Sequence, residues 1–263
     1  MKQNFFIKAP YNMMLGDGLG GERKPLHILA SKEDISPRVI AVGDPNRARV
    51  LSSTILEKPR LVNEYRGFLI YTGLYKGEHL TIATHGVGGP SAAIVFEELH
   101  MLGARYIVRL GSTGALVAHI DIGDVIVADG AAYPVGGTMG MYMGNDSFYP
   151  ASPDVELTYL IYKRLSNSKG YRVYIGAVYS SDAFYAENPE FVSKWASRNV
   201  LSVEMECATL LAISRLRGMR AACVLVVSDN LVKGVSVLSS LDVLRERFIE
   251  VGRVIADVLV EYK

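Results

Sequence analysis

Only two cysteines, Cys207 and Cys223, occur among the 263 residues of the chain. Two thiols cannot build a disulfide framework or a four-ligand zinc site, and both fall within apolar segments that read as buried. Charge of neither sign prevails: 28 Lys and Arg stand against 27 Asp and Glu, a formal net charge of +1. Such a balance gives no support for a nucleic-acid surface, which would be clearly basic. No apolar run reaches the roughly 20 residues needed to span a bilayer. Lys8 and Pro10 interrupt the N-terminal stretch where the apolar part of a signal peptide would sit, so the expected compartment is the cytoplasm, with no membrane partner. Pro/Ser-rich linkers, charge blocks and internal repeats are missing too, which points to one large domain. Apolar residues, by contrast, make up 49% of the chain, enough for a well-buried core.

Those apolar residues alternate between two periodicities. Short apolar runs at 39–42, 68–74, 80–84, 106–110, 124–133, 173–180 and 221–228 read as strands. Segments 90–102, 153–166, 188–196, 206–216 and 239–260 read as helices. Pro90 and Pro153 suit first helical turns, with Ser152 as a cap before Pro153, and Gly103 and Gly218 suit C-terminal stops. Alternation of this kind predicts an α/β fold, a central mixed or parallel sheet flanked by helices.

Glycine patterns need context. Gly16-Asp17-Gly18-Leu19-Gly20-Gly21 matches G-x-G-x-x-G, but no strand precedes it and no helix follows, so it is read as a loop and not a dinucleotide site. Two other turns do lie between a strand and a helix. Gly43-Asp44-Pro45-Asn46-Arg47 offers backbone N–H groups and an arginine one turn in, either an anion seat or an ordinary Asp-Pro turn. His85-Gly86-Val87-Gly88-Gly89-Pro90-Ser91 either lets backbone approach a ligand or packs a tight turn.

Two strands deliver a charge at their carboxyl ends, the edge at which open α/β sheets bind ligands. Tyr106-Ile107-Val108-Arg109-Leu110-Gly111-Ser112 carries an arginine inside an apolar run, which calls for a bound anion or an ion pair with a glutamate. Residues 221–230 end on Ser228-Asp229-Asn230, which supplies an acid. In Val203-Glu204-Met205-Glu206-Cys207 the two glutamates share a face if the segment is extended; they either grip a ligand or enrich a helix N-terminus in acids. Phe184-Tyr185 is either a stacking surface or core.

Taken together and in this order, Gly43-Asp44-Pro45 with Arg47, Asn63-Glu64-Tyr65-Arg66-Gly67, Gly88-Gly89-Pro90-Ser91, Arg109-Leu110-Gly111-Ser112-Thr113-Gly114, Ser181-Asp182-Ala183-Phe184-Tyr185, Val203-Glu204-Met205-Glu206 and Ser228-Asp229 identify a family resemblance. From about His27 onward the chain resembles the hexameric nucleoside phosphorylases, which include purine nucleoside phosphorylase, uridine phosphorylase and archaeal methylthioadenosine-cleaving relatives. The resemblance divides the chain into an N-terminal extension, 1–25, and a phosphorylase domain, 26–263. It implies phosphate-dependent cleavage of the N-glycosidic bond of purine nucleosides, without cofactor or metal, inorganic phosphate being a co-substrate. It implies phosphate held by Gly43, Arg47, Arg109 and Ser112, and by Arg66 at the neighbouring subunit. Met205 and Glu206 would bind the ribose, His27 the neighbour's 5′ end, and Phe184 and Val203 the base, with Val87 and Glu204 in the same nucleoside-binding set. Asp229 would be the catalytic acid, with Arg109 as its electrostatic counterpart across the sugar. It also implies a homo-oligomer, a trimer of dimers, with sites shared across an interface.

One departure stands out. Purine members usually carry an arginine several residues after the catalytic aspartate; here Asn230-Leu231-Val232-Lys233-Gly234 follows and the next arginine is Arg245, so either Lys233 substitutes or the acid works unaided. Uridine is the alternative substrate. A nucleosidase would not need the phosphate arginines, an oxidoreductase would need the fingerprint in context, and a non-catalytic binder would not need Asp229.

Overall fold

The computed structural model describes residues 24–235 and 241–262. The G-x-G-x-x-G stretch and nearly all of the expected N-terminal extension lie outside them. Among the described residues, strands β1 (Arg38–Val42), β2 (Glu57–Asn63), β3 (Ile70–Tyr75), β4 (Glu78–Thr84), β5 (Tyr106–Ala115), β6 (Val125–Ala132), β7 (Val173–Ser180), β8 (Ser202–Glu204) and β9 (Arg220–Asn230) form one mixed sheet. Helices α1 (Pro45–Ile55), α2 (Gly89–Met101), α3 (Gly137–Met143), α4 (Val155–Leu165), α5 (Pro189–Ala196), α6 (Cys207–Arg217) and α7 (Leu241–Glu261) flank it.

Sheet order is β2-β3-β4-β1-β5-β8-β7-β6-β9, and β9 also pairs with β5. The strands β5, β8, β7, β6 and β9 therefore close on themselves, and closure removes the unpaired edge that an open sheet would leave there. The long strand β5 makes this possible. Its first half pairs in parallel with β1 (Arg38↔Tyr106 to Ala41↔Arg109), and its last two residues pair with β8 (Gly114↔Val203, Ala115↔Ser202). Its other side carries β9 in parallel along the whole length.

Alternation along the strands splits the core between two faces. Val39, Ala41 and Ile107 pack with Phe96 and Leu99 of α2 and with Leu210 and Ile213 of α6. Ile40, Val108 and Leu110 pack with Leu51 of α1, Leu157 and Ile161 of α4, and Val251 and Ile255 of α7. Each fully buried Leu or Ile contributes about 1.5–3 kcal/mol.

The expected strands and helices all occur among the described residues, with most ends within two residues of expectation; β5 runs on to Ala115, well past its expected end at 110, and positions 239–240 of the last expected helix lie outside the described residues. Two strands and a short helix were not expected. β2, read Glu-Lys-Pro-Arg-Leu-Val-Asn, is exposed along most of its length, and the edge position favours charge and proline over alternation. β8 is three residues long, and α3 is glycine-rich. The cap of α4 is a correction. Asp154, not Ser152, accepts from Leu157 N, and the helix starts after Pro153. Gly218 does end α6, in the left-handed conformation at φ 67°. Both cysteines are buried and free.

Candidate active site

Carboxyl ends of β1, β4, β5, β8 and β9 meet around one cavity of about 400 Å³. Its walls hold Gly43, Arg47, Val87, Arg109, Ser112, Phe184, Val203, Glu204, Met205, Glu206 and Asp229. Residues singled out from sequence, scattered from 43 to 229, thus share one hollow.

Arg109 occupies the fourth position of β5, 4% exposed. Residues i and i+2 of a strand share a face, so its side chain runs over Gly111. A Cβ at Gly111 would lie 1.8 Å from Arg109 Nη1, which makes glycine the condition for this path. The guanidinium contacts Glu206 through Nη2 and lies 3.4 Å from Glu204. Burial alone would lower its pKa; Glu206, Cys207, Glu204 and Cys223 outweigh burial and raise it. Its Nε has no hydrogen-bond partner among the described residues, and Nη1 reaches only Cys207 Sγ at 3.8 Å. The glutamate pair and the anion seat are therefore compatible: donors remain for an anion.

The two glutamates have different employments. β8 stops at Glu204, and the carboxylate turns onto the start of α6, where it accepts from Glu206 N at 2.7 Å and Cys207 N at 2.9 Å and from the Ser180 hydroxyl. The Glu204 carboxylate thus fastens the start of α6, while the residue also lines the cavity. Glu206 faces the cavity. Desolvation raises the Glu206 pKa, but Arg109 and the Gly88 N–H, 2.6 Å from Oε1, more than offset that and keep it below the ordinary value. Met205 between them is half-buried in the wall.

Arg47 extends from the first turn of α1, whose cap is Asp44 with Pro45 at the first helical position. Its guanidinium stacks 3.6 Å from the Phe248 ring centroid and Nη1 donates to Leu110 O at 3.3 Å. Desolvation pulls its pKa down to about 10, so it remains cationic at neutral pH. Behind the same loop lies His85, fully buried, its Cε1 3.5 Å from where a Gly43 Cβ would stand. Desolvation, then Arg109, pushes His85 down to about 3, so the ring is neutral. The positive potential of this end therefore comes from the two arginines.

Asp229 lines the same cavity from the end of β9. The register of β9 on β5 slips between Thr113↔Val227 and Gly114↔Asp229, so Ser228 is an extra residue that re-aims Asp229. Gly114 opposite supplies the space: a Cβ there would stand 2.8 Å from Asp229 Oδ2. Ser228 Oγ donates to Asp229 Oδ1 at 2.7 Å. Lys233 does not take the place of the family's arginine. Asn230 Oδ1 accepts its backbone N–H and Asp121 holds its ammonium, turning it away from Asp229.

The remaining wall includes Val203, which is buried, and Phe184 and Val87, which are 60% and 72% exposed. Phe184 meets Tyr185 edge-on at 5.2 Å. Glu187 also lines this wall and was not anticipated: it sits in a polar Ala-Glu-Asn-Pro stretch that reads as a linker between turns.

His27 and Arg66, both expected to serve a neighbouring subunit, lie outside the cavity. Arg66 adopts φ 57° in the turn after β2, with its guanidinium 5.7 Å from the Tyr65 ring. His27 lines a separate, larger hollow of about 1170 Å³ with Pro90, Ala93, Ile94 and Met101. Glu98 fastens this segment: its carboxylate accepts from Leu26 N at 3.0 Å, His27 N at 2.9 Å and Ile28 N at 2.7 Å, and pairs with His27 Nδ1 at 2.7 Å. Desolvation would raise its pKa, yet the His27 and backbone contacts bring it below the ordinary 4.5. A carboxyl whose folded pKa is lowered adds stability above its unfolded value and loses it as pH falls through the folded value. Glu98→Gln is therefore expected to cost about 1.5–3 kcal/mol at pH 7, and the cost should shrink in urea melts carried out below about pH 4.5.

Among the described residues, no group of three or more His, Cys, Asp or Glu can hold a metal ion, and no helix is long and apolar enough to cross a membrane. The profile of the Phosphorylase superfamily matches residues 37–262. Relatives include the guanosine phosphorylase of Halorubrum lacusprofundi, 38% identical over 80% of this chain and 86% of its own. A DeoD-type purine nucleoside phosphorylase of Roseobacter denitrificans is 37% identical over 80% of this chain and 88% of its own. Among solved structures, uridine phosphorylase from Vibrio fischeri ES114 superposes with a TM-score of 0.79 at 31% identity, covering 90% of this chain and 95% of that one. With cavity, sheet and sequence in agreement, the chain belongs to the phosphorylase superfamily.

Proposed function

We propose that residues 26–263 form a purine nucleoside phosphorylase, which cleaves the N-glycosidic bond with inorganic phosphate and releases the base and ribose 1-phosphate. One observation carries this reading: two arginines, the carboxylate of Glu206 paired with one of them, and a second carboxyl, Asp229, line a single cavity. Phosphate takes the free donors of Arg109, the Arg47 guanidinium, the Gly43 amide and the Ser112 hydroxyl. The contact between Arg109 and Glu206 gives each group a partner that the ligands take over, phosphate oxygens at the guanidinium and the 2′ and 3′ hydroxyls at the carboxylate. As the glycosidic bond breaks, positive charge grows at C1′ of the sugar. The phosphate dianion beside it stabilises that charge and then attacks C1′ from the face opposite the base. Asp229 gives a proton to the departing purine at N7, which spares the base its negative charge. Phe184 and Val203 pack on the base.

Uridine is the second reading, favoured by the likeness to a uridine phosphorylase. Asp229 weighs against it, because a pyrimidine presents no N7. The test is incubation with inosine, adenosine, methylthioadenosine and uridine, each with and without phosphate. Purine release that requires phosphate or arsenate supports the reading; equal release without either contradicts it.

The active species is proposed to be a homo-oligomer, a hexamer by resemblance. Support comes from His27 and Arg66, which lie outside their own chain's cavity, and from the apolar hollow beside His27. Light scattering at assay concentration should give an even-numbered oligomer; a fully active monomer would contradict shared sites.

A further inference from the structure

Glu187 is unexplained by the reaction just derived. Its side chain forms part of the wall that also holds Phe184 and Asp229, and it borders a second hollow lined by Leu116, Val117, Val192 and Leu231. The position is fixed from both sides. The turn Phe184–Ala186 closes before it, with Ala186 N donating to Ala183 O at 3.0 Å, and Asn188 behind it caps α5 through Phe191 N at 2.8 Å. Among the described residues no basic side chain forms an ion pair with it, and its near charge is another acid. Desolvation first, and Asp229 second, raise its pKa, against the opposing pull of the Ser181 hydroxyl. A half-buried carboxyl beside a second carboxyl is unfavourable in the folded chain, and apolar or amide residues would fill the same space without that penalty. Apart from the Ser181 hydroxyl, the carboxyl has no donor among the described residues, which leaves acceptor capacity in the cavity wall.

Resting on the phosphorylase reading, we infer that Glu187 is a specificity-determining residue whose carboxyl accepts an N–H from the six-membered ring of the purine. With Asp229 at N7, the next positions along the edge of the base are the C6 substituent and N1. A purine offers an N–H there in one of two ways, as the 6-amino group of adenine or as N1–H of a 6-oxopurine. Both are the same chemistry to an acceptor. Purine riboside, which has neither group, keeps N7 for Asp229 and leaves Glu187 without a partner. A hydrogen bond to a charged acceptor is lost in that case, which corresponds to about ten- to a hundredfold in kcat/KM.

The experiment compares kcat/KM for adenosine, inosine and purine riboside in wild type, Glu187→Gln and Glu187→Ala. Intrinsic reactivity of the three nucleosides cancels when each substrate ratio is compared between enzymes, and so does any difference in folded fraction. The preference for adenosine or inosine over purine riboside should fall about tenfold or more in Glu187→Ala. It should fall by a smaller factor in Glu187→Gln, which keeps one acceptor. The nucleoside whose ratio falls identifies the N–H, N6 for adenosine and N1 for inosine. Equal losses on all three substrates, with ratios unmoved in both variants, would overturn the inference while leaving the phosphorylase reading intact. Failure of wild type to release base from any of them in phosphate would instead overturn that reading.

Discussion

Arg109→Ala should lose phosphorolysis by about a hundred- to a thousandfold or more, the range for removing a preorganised electrostatic group. The guanidinium lies buried beside Glu206 and Glu204 in the cavity wall, with its Nε unpartnered among the described residues. Water cannot replace a charge at a site from which it is largely excluded. The alanine variant also leaves carboxylates without their cation, and breaking a buried pair from one side costs about 3–5 kcal/mol. Turnover and thermal stability should therefore fall together. Arg109→Lys separates the two effects. It keeps a cation for Glu206 but loses the planar fork that suits phosphate. It should melt close to wild type and show a raised KM for phosphate with reduced kcat. Near-normal phosphate kinetics in the lysine variant would make Arg109 a structural residue only.

Asp229→Asn should have the second large effect, a fall of about 10²- to 10⁴-fold in kcat with purine nucleosides. The amide keeps the shape and donates a hydrogen bond, but it has no proton to transfer. Stability should change little, because the Asp229 carboxylate is half-buried and its hydrogen bond is to the hydroxyl of its own neighbour, Ser228. Any uridine activity should be nearly unaffected, since N7 is the atom that Asp229 serves. A variant that melts early yet cleaves purines at full rate would remove Asp229 from the chemistry.

Much of the scaffold is legible in the sequence, because it follows from local patterns. β5 is an apolar run that carries a charge within it and β9 one that ends in a charge, and buried parallel strands have that apolar composition. The glycines of the Arg109 strand are equally plain, though not their purpose: Gly111 makes room for the guanidinium and Gly114 for Asp229, and only the fold brings those groups opposite each other. The bulge at Ser228 depends on the register of β9 against β5, strands that are distant in sequence. Glu204 and Glu206 look equivalent in an extended segment. The end of β8 at Glu204 breaks that equivalence, giving one carboxylate to the amides of α6 and the other to the cavity. Lys233 departs from expectation for a related reason, since its partner Asp121 comes from a distant turn. β2 gives no periodic signal because an edge strand protected by Lys58, Pro59 and Arg60 shows no alternation. Glu187 has no motif of its own; its place in the wall depends on how the turn before α5 packs beside the end of β9.

The central claim is that phosphate, held by Arg47 and Arg109, is the nucleophile at C1′. The measurement that meets it most directly is phosphorus-31 NMR of the enzyme turning over inosine or adenosine in phosphate buffer. The account predicts a sugar 1-phosphate resonance that grows in step with released base, and no base release when phosphate is omitted. Free ribose as the product, formed at the same rate in phosphate-free buffer, would show that water is the nucleophile and would contradict the account.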